Sequence, residues 1–553
     1  MERYRQLSHS TLRRQLPTPR PLAEITSSKD ALLQAKNWCD QCVQGHTWCQ
    51  ASASNAVWWP TRLVDFGSSE TPCSHFRLVQ PSKEPLIGPY MTLSHCWGQV
   101  NCLKLTTDNL TELSSWLPVT TLPQLYRDAG DVARLLGVRY LWIDSLCMIQ
   151  DRDNMSDWRH ESTIMDKVYS AALCNISAST APDAHHSLFN DRKAEAYTWQ
   201  IVQLKRQGKH SVYRIVDEDI WRTDVDGALV NSRAWVLQER LLSRRILHFG
   251  ERQILWECRE NNAAEFYPED VPWALQCHVN ASPRRLASLD DARWPLSKSD
   301  PIRSHVLRVW KDIVMAYSGC KLTFPADRMV ALSAIAKQVA QILGDEYVAG
   351  MWHRSLKHEI LWSVESVAPT SACQESSYRA PSWSWAAADA PVTPAIWDVF
   401  PTESFVDVED YHLDYVTEEF TGLLKGGWIR LWGALKPLHL TQGRKFHKLA
   451  WEATINTTKY QTRSVYLDTL HQDFELQNTQ SSLYCIPSAV EETQGFKILL
   501  LEVQDRSKGI FRRIGMITHL DEGSREQILG PCDDEHNFPC EEYRNGKHLI
   551  RII

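Results

Sequence analysis

Between Pro89 and Ser177 short apolar runs alternate with amphipathic segments, and this alternation constrains the fold more than any other feature of the chain. Pro89–Gly98 (PYMTLSHCWG) is apolar until it ends in small and polar residues before a glycine, which predicts a strand running into a loop. Helices are predicted over Asp108–Trp116 and Leu122–Leu136, the second closed by Gly137, a residue suited to the left-handed turn after a helix. Tyr140–Ile149 (YLWIDSLCMI) is apolar except for Asp144 and Ser145 and too short for a typical helix. It predicts a buried strand with the polar pair near its carboxyl end. From Asn154 to Ala172 the residues Trp158, Met165, Val168 and Ala172 fall on one helical face, and LCNIS at 173–177 predicts a third buried strand. Strand, helix, strand is the pattern of a parallel βαβ unit, so the expected class is α/β, a mainly parallel sheet flanked by helices.

Ser232–Leu242 (SRAWVLQERLL) has Trp235 and Leu242 seven apart with Glu239 between them, and RRILHFGERQILWEC then predicts two strands around a glycine turn. A first domain should close near residue 265. Residues 268–300, rich in Pro, Ser and Asp, predict a linker before amphipathic helices at 302–317 and 327–343. From Gly426 onward strand-like runs (WIRLWGAL, KILLLEV, FRRIGMITHL, HLIRII) predict a mostly β region. The expected organisation is a tail with a Cys/His helix over 1–49, an α/β domain over 50–265, a linker and helical region over 266–425, and a β-rich region over 426–553. A chain of 553 residues is long enough for two or three such cores.

Composition narrows the partners. The 23 tryptophans call for many large packing sites and predict an indole-rich core rather than a stacking platform for nucleic acid. A net charge of -7 repels phosphate backbones, which argues against nucleic acid as the main partner. Fifteen irregularly spaced cysteines predict reduced thiols and a cytoplasmic protein rather than a disulfide framework. No apolar run approaches the roughly 18 to 20 residues of a membrane helix, and the Arg-rich residues 2–20 lack the apolar stretch of a secretory signal and are expected to form a tail. The GxxxxGK[ST] loop of nucleotide-driven switches is absent from the sequence.

Three blocks together resemble the fungal heterokaryon-incompatibility (HET) family: YMTLSHCWG at 90–98, LGVRYLWIDSLCMIQDRDNMSDWRHESTIMDKVYSAA at 136–172, and SRAWVLQERLLSRRILHF at 232–249. Segments 38–49 (WCDQCVQGHTWC), 327–336 (DRMVALSAIA) and 379–387 (RAPSWSWAA) resemble those accompanying such domains. The resemblance implies a role in non-self recognition and programmed cell death, with protein partners or self-association through the HET domain. HET domains are also remotely similar to Toll/interleukin-1 receptor (TIR) domains, which implies a flavodoxin-like sheet.

Ligands of doubly wound sheets collect at the carboxyl ends of strands, which places Ser94, His95, Trp97, Gly98, Asp144 and Ser145 in one candidate crevice. Some TIR domains cleave NAD with a glutamate four residues after a tryptophan, and Trp235 and Glu239 resemble that pair. The resemblance makes Glu239 the candidate catalytic carboxylate, Arg233 and Trp235 candidate ligand contacts, and NAD a candidate substrate. The competing pair Trp158 and Glu161 is only three apart. Glu239 is also open to a structural role, paired with Arg233 or Arg240 on a helix surface. Cys147 with His95 is a further nucleophile and base pair to consider, against an inert core thiol.

Cys39, Cys42, His46 and Cys49 carry metal-ligand chemistry, but on a single helix they would form a stripe about 15 Å long, beyond the reach of one ion. Packing of thiols and an imidazole is expected there, with no metal, because zinc would demand a broken helix. Trp383 and Trp385 in SWSW alternate at strand period and predict a half-buried strand.

Overall fold

The computed structural model describes residues 22–50, 58–67, 74–151, 153, 156–192, 201–206, 209–214, 219–272, 275, 300–364, 378–395, 401–416, 421–445, 448–462, 464–468, 482–491, 495–520 and 525–553. The chain separates into two units, residues 1–291 and 292–553.

The first unit runs α1 (Lys29–Gly45), β1 (Leu63–Asp65), β2 (His75–Val79), β3 (Tyr90–Ser94), α2 (Leu110–Leu113), β4 (Leu117–Pro118), α3 (Gln124–Leu135) and β5 (Tyr140–Ile143). There follow α4 (Asp144–Cys147), α5 (Ser156–Thr163), α6 (Met165–Ala171), β6 (Asn175–Ser177), β7 (Ile201–Arg206), β8 (Lys209–Arg214), α7 (Ala234–Leu242), β9 (Arg245–Phe249), β10 (Ile254–Cys258) and β11 (Asn262–Ala264). Nine strands form one sheet in the order β11-β10-β9-β6-β3-β5-β1-β2-β4, and β7 pairs with β8 separately. The four central strands are parallel. Both flanks are antiparallel, because hairpins extend the sheet on each side. The α/β class expected from the alternation therefore holds, with a mixed sheet parallel at its centre.

In chain order the parallel strands stand 2-1-3-4, the start of the flavodoxin-like arrangement. The connection from β3 runs to β5 on one side and the chain then returns to β6 on the other, so the order reverses between β3 and β6. Both strands are buried along their whole length, as parallel strands between helical layers must be.

Local chemistry explains where the elements depart from expectation. The strand predicted over 140–149 stops at Ile143, since Asp144 Oδ1 accepts from the Ser145 amide at 2.7 Å and the backbone coils into α4. The helix predicted at 154–172 is broken into α5 and α6, and that at 108–116 shrinks to the four residues of α2. Gly137 takes φ +80° just beyond α3, the left-handed closure expected of it. The helix α1 ends at Gly45, and His46 is already extended (φ -87°, ψ 116°), so the single Cys/His stripe does not form. Most of the linker predicted over 268–300 lies outside the described residues.

The second unit contains helices Asp300–Ser318 and Ser333–Leu343, the latter closed by Gly344 at φ +54°. A twelve-stranded, largely antiparallel sheet follows, its core built from Leu438, Ile455, Phe496, Ile498, Leu500 and Ile517. SWSW is a turn leading into a short 3-10 helix at Trp385–Ala387, not a strand. Ser384 Oγ accepts from the Ala386 amide and donates to the Ala349 carbonyl at 2.6 Å, local bonds that compete with strand pairing. Trp383 and Trp385 are both buried, and Trp142, Trp221, Trp256, Trp352 and Trp362 are fully so, which accounts for much of the tryptophan content as core.

Candidate functional site

The reversal between β3 and β6 carries a layer of buried polar side chains. Thr92 pairs in register with Asn175, and Ser94 with Ser177. Strand alternation puts these four on one face of the sheet. Asn175 Oδ1 accepts from Thr92 Oγ1 at 2.9 Å, and Asn175 Nδ2 donates to Ser94 Oγ at 2.9 Å. Ser94 Oγ in turn donates to Glu239 Oε2 on α7. Tyr169 of α6 also hydrogen-bonds the Glu239 carboxyl. The hydroxyls of Ser177 and Ser179 are buried with no hydrogen-bond partner among the described residues, so polar capacity remains at this strand end.

Glu239 occupies this position because α7 is buried nearly all round, from Ala234 to Leu242, and its two charged residues must both find partners inside. Burial pushes the Glu239 carboxyl up to about 7, against the opposing pull of Arg233. Arg240 turns to other partners: its guanidinium donates to Glu257 at 2.7 and 3.0 Å and to Asp226 at 2.8 Å, and His248 meets Glu257 at 3.1 Å. Pairing of Glu239 with Arg240 on a helix surface, open from the sequence, is therefore replaced by two separate buried networks.

The loop after β3 packs onto the start of α4 and onto α3. Trp97 Nε1 donates to Asp144 Oδ2 at 2.7 Å, and His95 Nδ1 lies 3.7 Å from Asp144 Oδ1. His95 Nε2 meets the Tyr126 hydroxyl at 3.0 Å, and that hydroxyl meets Ser145 Oγ at 2.8 Å. Burial lowers the His95 imidazole to about 4, so it is neutral at pH 7. Arg233 donates to the His95 carbonyl, and Trp235 packs edge-on against Trp158 with ring centres 6.1 Å apart. Gly98 is exposed at the tip with φ +67°, and a Cβ there would lie 2.5 Å from that of Asp183.

The SHCWG loop, the start of α4 and α7 thus meet in one cluster, in which Ser94, His95, Ser145 and Glu239 are buried. Trp97, Asp144, Arg233 and Trp235 are half-buried at its rim. Glu161, the competing carboxylate, lies elsewhere, 3.6 Å from the Arg62 guanidinium, which also donates to the Cys147 carbonyl at 2.7 Å. Cys147 is a buried thiol pushed up to about 12, with its sulfur against the Ile143 amide, which suits core packing and not nucleophilic attack. Sequence reasoning missed Asn175, Tyr169 and Tyr126. The one signal was a polar Asn inside the apolar run LCNIS; the tyrosines sit among helical residues with nothing to mark them.

Among the described residues no helix is long and apolar enough to cross a membrane. No curated protein and no solved structure matches the chain. Residues 90–239 match the model of the family described as Heterokaryon incompatibility protein (HET), a span that begins at the first residue of β3 and ends at Glu239. The two ends of the matched segment, β3 and Glu239, meet through the Ser94 hydroxyl, and the chain carries a HET domain, which supports a role of heterokaryon-incompatibility type.

Proposed function

We propose that this HET domain is a cytoplasmic effector of non-self recognition and programmed cell death that cleaves NAD at the crevice between β3 and β6. The observation that carries the proposal is Glu239: a carboxyl at the sheet's reversal point, raised to about 7 by burial and held by Ser94 and Tyr169. A perturbed carboxyl at such a point is a functional candidate on physical grounds. In the reaction the bond between the ribose C1′ and the nicotinamide nitrogen breaks, and its electron pair leaves with nicotinamide. The oxocarbenium-like ribose is stabilised by the ionised Glu239, water adds at C1′, and one proton is released, giving ADP-ribose. Because Glu239 is only 4 % exposed, substrate entry requires the 94–98 loop to move outward. The half-buried Trp97 and Trp235 would then offer ring faces to the nucleotide and Arg233 a charge for its phosphates.

A second proposal rests on the same burial. If the crevice stays closed, Glu239 joins β3 to α7, and the domain acts by recruiting or assembling with other proteins. A third class, a HET-like enzyme of natural-product synthesis, needs an enclosed tryptophan-lined pocket. The cavity lined by Trp310, Trp362 and Trp385 in the second unit measures about 20 Å³, room for a water and not for a small-molecule substrate.

Purified full-length protein is incubated with NAD over a range of concentrations, and nicotinamide release is compared with that of Glu239→Gln. Turnover by the wild type alone supports the nucleotide proposal. Absence of turnover at every concentration, with cell killing retained by Glu239→Gln, overturns it in favour of the adaptor.

A further inference from the structure

We infer that Cys42, His46, Cys49 and Cys258 form a tetrahedral zinc site that fastens α1 to the end of β10. The four ligand atoms lie within 4.8 Å of one another, and His46 Nδ1 stands 3.3 Å from Cys258 Sγ. Tetrahedral bonds of about 2.3 Å from zinc to sulfur and 2.0–2.1 Å to nitrogen put ligand atoms roughly 3.5–3.8 Å apart, so modest adjustment closes the set around one ion.

The local fold explains how a tight spacing becomes a usable one. Cys42 stands in the last turn of α1, and Gly45 is the last helical residue. His46 leaves in an extended conformation while its amide still bonds the Cys42 carbonyl at 3.2 Å, and the turn at Thr47–Gln50 brings Cys49 back. Cys39, one turn earlier on α1, is left outside the set, and its place is taken by Cys258, more than two hundred residues away.

The surroundings suit metal-bound thiolates. Arg245 Nε donates to Cys42 Sγ at 3.1 Å, and the Asn261 amide donates to Cys258 Sγ at 3.1 Å. Arg245 Nη2 also bonds the Cys49 carbonyl at 2.8 Å. Three thiolates and a neutral imidazole around a divalent ion leave one negative charge, and the Arg245 guanidinium supplies the matching positive one. The three cysteines are fully buried and four protein ligands fill the tetrahedral set, which fits a structural ion rather than a catalytic one. All four ligands lie outside residues 90–239, so the ion would brace the HET segment from both of its flanks. This inference is independent of the chemistry proposed at Glu239.

Full-length protein is purified under reducing conditions without chelator and its metal content measured by mass spectrometry, with release on mercurial titration of the thiols. About one zinc per chain is expected, released in step with thiol modification. Cys258→Ser should lose zinc affinity by about tenfold or more, while Cys39→Ser retains it. To remain independent of whether a variant folds, the wild type is also exchanged with cobalt, which should show the visible bands of tetrahedral thiolate ligation. A zinc-free wild type that takes up no cobalt, equal metal content in Cys258→Ser and wild type, or a native disulfide among Cys42, Cys49 and Cys258 would each overturn the assignment.

Discussion

The Ser94 hydroxyl donates to the carboxyl of Glu239, tying the end of β3 to α7 across 145 residues of sequence. Asn175 holds the same hydroxyl from β6, so one bond chain crosses the point where the strand order reverses. A buried carboxyl in this position is a cost to the fold whenever it ionises, and that cost can be measured.

Glu239 is an acid whose value rises from 4.5 to about 7 on folding, so the native state holds its proton more tightly than the unfolded chain. Its contribution to stability is complete below about pH 4.5 and is lost as pH rises through 7. The loss between pH 5 and pH 8 is on the order of 3 kcal/mol. Glu239→Gln removes this titration and should gain on the wild type by that order as pH rises, read from urea denaturation at the two pH values. Parallel pH profiles for the two proteins would rule out a buried, raised carboxyl.

The neighbouring network makes the opposite case. Burial alone would raise Glu257, but Arg240 and His248 outweigh it and hold the carboxyl down at about 2. Arg240→Met removes the guanidinium from that buried charge, leaving only His248 on it, and should cost about 3–5 kcal/mol at pH 7. Adding Glu257→Gln should restore much of the loss. Hydrogen exchange of peptides spanning 234–258 locates the effect, and a full additive loss in the double variant would contradict the pairing.

Gly98→Ala tests the loop. The alanine meets Asp183 at 2.5 Å and must hold φ +67°, so it should destabilise the closed loop by more than about 1 kcal/mol. Faster exchange of peptides covering 94–104, with the second unit unchanged, is the expected result; unchanged exchange would mean the loop is not held closed by this packing.

In the second unit Arg513 lies 3.4 Å from the centre of the Trp362 ring and donates to Asp468 at 2.9 Å. Burial lowers Arg513 to about 10 and raises Asp468 to about 6, each resisted by its partner. Arg513→Ala should cost about 3–5 kcal/mol through lost packing and an orphaned carboxyl. Denaturation monitored by tryptophan fluorescence checks it, and a cost under about 1 kcal/mol would show that the pair contributes little.

Much of the central sheet was legible because its strands are short apolar runs bounded by polar residues and glycine. YMTLS and NIS lie where the pattern places them, α7 follows the Trp235 to Leu242 spacing, and the hairpin turns at Gly250. Asp144 and SWSW misled for one reason. Their side chains bond adjacent backbone and bend it, while hydrophobic period records only which residues are apolar.

What the sequence by itself determined is local: the alternation that commits residues 90–177 to a parallel sheet, the glycine closures, and the resemblance that marked Glu239 for attention. Tertiary structure alone decided which distant groups meet. It turned Arg240 toward Glu257, set Ser94 and Tyr169 on Glu239, and brought Cys258 to the Cys42, His46 and Cys49 turn. The physical reason is that periodicity follows from backbone geometry over a few residues, whereas charge state and ligand sets depend on burial and on neighbours supplied by folding.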